Sequence, residues 1–279
     1  MIFDARRCEL GEGPLWHPLR GELLWFDILN RTLHSQARSW TFSELVSAAG
    51  WISRDEVLIA SETALFRFDL ETGSQTRLIG LEADNRKTRS NDGRADPQGG
   101  FWIGTMGKIE GPGTPAQGAI YRYYRGELRK LFAPIAIPNA ISFPPGGKTA
   151  CFTDTTTGRV LRVALDADGW PNGSPETFLD LTAEGLHPDG AVFDADGIFW
   201  LAEWGASRVA AYAPDGSFLR AVPFDAPHTS CPAFGGDTLY CTTALHNMDA
   251  AARARHPNAG KTFMARGIAQ GQPEHQFIA

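Results

Sequence analysis

The feature that most constrains this chain is a repeat marked by its turns. A glycine-rich turn, an aromatic residue and a short strand recur as RGELLWFD (20–27), QGGFWIGT (98–105), GGKTACFTDT (146–155), DGIFWLAE (196–203) and GGDTLYCTT (235–243). A weaker copy is RDEVLIAS (54–61). The aromatic slot holds Trp25, Leu58, Trp102, Phe152, Trp200 and Tyr240 in turn. The intervals between these positions are close to the period of a four-stranded propeller blade, roughly 40–50 residues. Between the copies, TALFRFDL (63–70), AIYRYYRG (119–126), RVLRVALD (159–166) and RVAAYAPDG (208–216) alternate apolar and polar residues as strands do. The pattern predicts an all-β, six-bladed β-propeller with four-stranded blades, one domain over residues 1–279. Radial repetition hides most sheet edges in such a ring. The residues after Tyr240 and before Trp25 then complete the last blade, so both chain termini close it. A β-sandwich or two β domains would leave six turn-aromatic copies unexplained. One short helix is predicted within 247–257, starting near Asn247 or Asp249. Asp196-Gly197 and Asp215-Gly216 read as hairpin turns of the favoured Asp-Gly kind.

Composition narrows the function more than the fold. The net charge is −6 and no Lys/Arg block occurs, so no nucleic-acid footprint is present. No run approaches the roughly 18 apolar residues of a membrane span, and the N-terminus lacks an apolar signal core. Cys8, Cys151, Cys231 and Cys241 are widely spaced with no CxxC pair and read as reduced thiols, pointing to the cytoplasm. A monomer or weak homo-oligomer is expected. There is no GxSxG nucleophile motif and no phosphate-cradling glycine loop, which argues against covalent serine chemistry and nucleotide binding.

A second pattern precedes the aromatic slot at a nearly constant distance in five of the six copies. It holds Glu12, Asn91, Asn139, Asp189 and His228, whereas the second repeat offers only the small residues of VSAAGWIS. The innermost strand of each blade lines the central channel, so equivalent positions point at one axis. Glu12, Asn139 and Asp189 would bring together two carboxylates and an amide oxygen. Oxygen-only donors suit a divalent cation such as Ca, Mg or Mn. Small neighbours such as Gly13, Ala140 and Gly190 would let the backbone approach a ligand. Singly, each residue also has an ordinary reading: Glu12 as a solvated carboxylate, Asn139 as a turn former after Pro138, Asp189-Gly190 as an Asx turn. His228 reads equally well as a channel or core residue and is left outside the metal shell. Asp27, Asp154 and Glu203, just after the aromatic slot, read as structural partners of backbone amides on the next strand.

LGEGPLWHP, RSNDGRADPQGGFWIGTM, IPNAISFPPGGK and HPDGAVFDADGIFWLAEW together resemble the signature blocks of the SMP-30/gluconolactonase/regucalcin family, in order, from about Glu9 to Thr243. The resemblance implies a six-bladed propeller with one divalent metal (Ca, Zn, Mn, Mg or Fe) in the channel. It implies hydrolysis of sugar lactones to aldonic acids. It puts the metal ligands on Glu12, Asn139 and Asp189, and substrate contacts on Arg89 and Asn91 of the RxND motif. Asp189 would be both ligand and general base, with the metal polarising the carbonyl and activating water. Gly104, Thr105 and Met106 match the family's GTM block, and the following loop, 107–118 with Glu110, would help cover the pocket. Two positions depart from the common pattern: Ala140, where relatives often have glycine, and Glu203, where many sugar lactonases have a small or apolar residue. The same metal site could serve a phosphotriesterase-like hydrolase, or the propeller could be a non-catalytic metal-binding module.

Overall fold

A computed structural model describes residues 1–109, 111 and 114–278. Among them, 24 strands form six four-stranded antiparallel sheets arranged as blades in a ring. The innermost strands are Gly11–His17, Val46–Trp51, Thr88–Ala95, Pro138–Ser142, His187–Phe193 and Thr229–Gly235, which define blades one to six. The sixth blade takes its outermost strand, Ile2–Asp4, from the N-terminus, beside Thr262–Ala265. Closure by both chain ends, as the turn spacing predicts, is what the sheet order shows.

Each aromatic-slot residue lies on the second strand of its blade. These strands are buried almost throughout, because each is flanked by its own sheet neighbours and covered by adjacent blades. They therefore read as near-continuous apolar runs. Fourth strands such as Gln75–Gly80 and Phe218–Pro223 are exposed or half-buried at the rim. The hydrophobic core is accordingly divided. Six clusters of buried side chains occur among the described residues, each wedged between two neighbouring blades. Trp102 and Phe152 share the wedge between blades three and four, and Trp25 and Tyr240 share the closing wedge.

The predicted helix is Ala250–Arg255, with the Asp249 carboxylate accepting from Ala252 N–H as its N-cap. The Asp-Gly turns are wider than two-residue hairpins. In blade five the chain turns over Asp194–Ile198, and the Asp194 carboxylate accepts from Asp196 N–H, Ile198 N–H and Trp200 Nε1–H. Asp96 and Asp166 tie their own turns in the same way. The four cysteines are free and buried, and burial pushes the Cys151 thiol up to about 12. Among the described residues no helix is long and apolar enough to cross a membrane.

The C-terminal segment crosses beneath the ring. Gly271 N–H donates to Gly236 of blade six, Ala195 N–H of blade five donates to Gln270, and Gln272 reaches the Phe143 carbonyl after blade four. Trp51 of blade two donates to the Glu274 carbonyl, and Arg94 of blade three forms a buried ion pair with Glu274 at 2.9 Å. Phe277 inserts into the wedge between blades two and three. This tail packs at the ends of the inner strands, around Arg94, Ser142 and Phe193.

Candidate active site

At the opposite end, where the inner strands begin, lies a cavity of about 300 Å³. Its wall includes Glu12, Arg89, Asn91, Asn139 and Asp189, so all five residues assigned from sequence meet there although they come from four blades. All are buried, with exposures of 4–6%. That removes the reading of Glu12 as a solvated carboxylate.

The distance from the polar slot to the aromatic slot varies slightly between blades, and the variation has a local cause. Every inner strand carries a register shift near its start, and such bulges re-aim side chains. Glu12 and Asn139 are the paired residues immediately before the shift, followed by Gly13 and Ala140 at φ 52° and 55°. Asn91 and Asp189 instead lie within the unpaired stretch. The sixth-blade counterparts are Thr229 and Ser230, not His228, which precedes that strand. Ser230 donates to the Gly11 carbonyl at 2.5 Å. In the second blade Ser47 fills the slot and donates to Ser90 at 2.8 Å.

The small residues beside the polar slot serve the ring rather than a ligand. A Cβ on Gly13 would lie 2.3 Å from the Ser47 carbonyl oxygen, and one on Gly190 would lie 2.3 Å from Cys231 Sγ. Glycine there lets neighbouring inner strands converge on the axis. Ala140 has no such freedom and adopts a left-handed conformation that costs an L-residue about 1–2 kcal/mol. Its neighbour Ile141 donates its N–H to Asp92 Oδ2 of the preceding blade at 2.8 Å, which pins the turn.

A hydrogen-bond chain then runs across three blades. Arg89 donates to Asn91 Oδ1 at 2.8 Å, Asn91 Nδ2 donates to Asn139 Oδ1 at 2.8 Å, and Asn139 Nδ2 donates to Thr155 Oγ1 at 2.9 Å. Thr155 in turn donates to the Pro188 carbonyl beside Asp189. The chain sets the Asn139 amide so that its oxygen retains one lone pair. Two further carboxylates support this geometry from behind. Asp27 accepts from Glu9 and Leu10 N–H, just before Glu12, and Asp154 accepts from Ala136 and Ile137 N–H, just before Asn139. The predicted role of these two as backbone partners is thus observed, but at the ends of the aromatic strands themselves. Glu203 differs: it is fully buried and bonds side chains, accepting from Tyr212 OH at 2.5 Å and pairing with Arg208. A carboxylate with no solvent contact needs charged and hydroxyl partners, and blade five supplies both.

Burial raises the Glu12 carboxyl to about 8, with a further push from the Asp92 charge, opposed by Gly13 N–H and Arg89. Burial likewise raises Asp92 to about 6. Two buried carboxylates, Glu12 and Asp189, with an oriented amide oxygen, form an oxygen-only donor set. Such a set fits a hard divalent cation, which would relieve the unfavourable burial of negative charge. Among the described residues no three of His, Cys, Asp and Glu gather as ligands, since the third donor here is an amide. Sequence spacing misses Thr155, His187, Trp204 and His246, which also line the cavity. His187 and Trp204 sit opposite each other on adjacent strands, inside the quoted block, and strand pairing alone would have linked them. Glu110 lies outside the described residues.

Residues 10–245 match the SMP-30/Gluconolactonase/LRE-like region, a span that contains every residue of the polar slot. The chain belongs to the SMP-30/gluconolactonase/LRE-like family. Within it, a Rhizobium meliloti (strain 1021) protein provisionally named a sugar lactone lactonase is 42% identical over 96% of this chain and 94% of its own. The L-arabinolactonase of Azospirillum brasilense is 34% identical over 99% of this chain and 94% of its own. Among solved structures, a calcium-binding protein, regucalcin, from Agrobacterium tumefaciens str. C58 superposes with a TM-score of 0.95 at 39% identity, covering 100% of this chain and 97% of that one. The family membership implied by the four signature blocks is therefore shown over most of the chain.

Proposed function

We infer that this chain hydrolyses sugar lactones to aldonic acids, with one divalent cation held by Glu12, Asn139 and Asp189. One observation carries the reading: two carboxylates and an oriented amide oxygen from three blades share one buried cavity. It is supported by relatives that bear lactonase names over nearly their whole length, and calcium is the first ion to try because a structural neighbour is a calcium-binding protein.

A lactone is a cyclic ester, so the reaction is acyl transfer to water. When bound, a divalent cation draws electron density from the carbonyl oxygen and lowers the pKa of water. The chain's own groups do the rest. Arg89 presents its guanidinium to substrate oxygens. Asn91 uses both amide hydrogens on Pro138 and Asn139, so its remaining contact with substrate is through the second lone pair of Oδ1. Asp189 takes the proton of the attacking water and returns it to the ring oxygen as the ester C–O bond breaks. The products are a freed hydroxyl and a carboxylic acid, which ionises to the carboxylate and releases one proton to solvent.

The test is a panel of glucono-, galactono-, xylono- and arabino-lactones, each run with Ca, Mg, Mn, Zn or Fe and followed by proton release. Turnover is expected with at least one pair. Asp189→Ala should lower kcat by at least about 100-fold, the ordinary contribution of a general base, and weaken cation binding. An inert wild-type protein on every pair, or a fully active Asp189→Ala variant, overturns the reading.

A further inference from the structure

Two residues that depart from pattern or fall outside the metal site, Glu203 and His228, converge on a third. Trp204 follows Glu203 at the end of its strand, lines the cavity, and stacks on the His228 ring at a centroid distance of 4.3 Å and an interplanar angle of 13°. The stack is braced from several sides. Gly205 and Ser207 both donate their N–H groups to the Pro227 carbonyl, which fixes the turn after Trp204 against the loop carrying His228. Thr229 donates to the Glu203 carbonyl, and the His228 carbonyl accepts from Ala244 N–H. Beneath, the Glu203 side chain is clamped by Tyr212 and Arg208. The His228 stack and the turn tied to the loop that carries His228 hold the indole in one plane.

The cavity wall is chemically divided. Glu12, Asn139 and Asp189 supply oxygens, while Leu10, Met106 and Trp204 supply apolar surface. A sugar lactone is divided in the same sense: hydroxyls and carbonyl point outward from the ring, and the ring face offers C–H groups. The electron-rich face of an indole attracts such C–H groups, and a plane held in advance loses little freedom on binding. We propose that the Trp204 face is the platform on which the sugar ring of the substrate lies, with His228 as its backing. Trp204 is then a substrate-contacting, specificity-determining residue, and His228 a positioning residue acting through it. The proposal rests on the lactonase reading.

The experiment compares wild type, Trp204→Ala, Trp204→Phe and His228→Ala on every lactone the wild type hydrolyses. KM and kcat are measured separately, and calorimetry follows binding of the activating cation. Trp204→Ala should raise KM by about tenfold with cation affinity unchanged. Trp204→Phe should restore most of the loss, and His228→Ala should fall between. Unchanged KM in Trp204→Ala overturns the platform while leaving the lactonase reading standing. A joint loss of kcat and cation binding, not rescued by Phe, also overturns it by showing a purely structural role. If wild type hydrolyses no lactone, the lactonase reading fails and the proposal with it.

Discussion

At the scale of single residues, the site combines groups that burial makes costly with neighbours that offset the cost. Ala140 is the clearest case. Its left-handed backbone is held by the Asp92–Ile141 hydrogen bond, while its methyl group packs in the wedge between blades four and five. Ala140→Gly should stabilise the cation-free protein by about 0.5–1 kcal/mol, because relief of strain exceeds the added freedom of the unfolded chain. Urea denaturation measures this; destabilisation would mean the methyl group packs better than it strains. His17 illustrates burial of the opposite charge type. It is fully buried, and burial lowers its pKa below the ordinary histidine value. The unfolded chain therefore takes up a proton near pH 6.5 while the folded protein does not. Stability from this group is complete above about 6.5 and is lost as pH falls towards the lowered folded value. Denaturation of wild type and His17→Phe side by side from about pH 7.5 to 5 isolates this contribution: relative to His17→Phe, wild-type stability should fall once the pH drops below about 6.5.

At the scale of elements, the inner strand is the functional unit, and its bulge is what makes it one. Without the register shift near its start, Asn139 and Asp189 would follow the regular alternation of their strands instead of meeting at the axis. Second strands provide the anchor: Asp27 and Asp154 at their ends grip the backbone that enters the inner strand. Catalytic-end geometry is thus built into the hairpin between the first two strands of a blade. The repeat is legible because five of the six hairpins place an aromatic residue three to five residues after the turn glycine. The polar slot is legible only approximately. Glu12 and Asn139 stand slightly farther from their aromatic partners than Asn91 and Asp189 do, according to which side of the bulge each occupies. The bulge leaves only a loose signature, a small residue such as Gly13, Ala140 or Gly190 after the slot. The same tolerance draws His228 into the slot.

At the scale of the whole molecule, the ring leaves two ends and the C-terminal segment treats them differently. It packs across the end where inner strands finish, while the cavity lies at the end where they begin. Arg94 and Glu274 form a buried ion pair between tail and ring, at 9% and 7% side-chain exposure. Removing one partner leaves an uncompensated buried charge, which typically costs about 3–5 kcal/mol. Glu274→Ala should therefore lower the thermal midpoint substantially, and the double variant Arg94→Met/Glu274→Leu should recover much of the loss. Thermal denaturation of both decides it; equal loss in the two would place the energy in packing rather than charge. Nothing in the tail sequence QGQPEHQFI announces this role, since its partners lie far off along the chain in five different blades.

The blade count, the second strands, the closure by both termini and the polar-slot residues Glu12, Asn91, Asn139 and Asp189 can be read from the amino-acid order. They follow from local chemistry repeated at a regular period: turn glycines and aspartates, buried aromatic runs, and one polar position before each. What those residues do for one another emerges only when the blades are assembled. The link from Asn91 to Asn139, the grip of Asp92 on the turn at Ala140 and the stack of His228 on Trp204 are contacts between blades, and the tail beneath the ring adds contacts to five of them. A repeat specifies each blade from its own residues, but contacts across blades depend on how the wedges between them pack, and no local pattern encodes that.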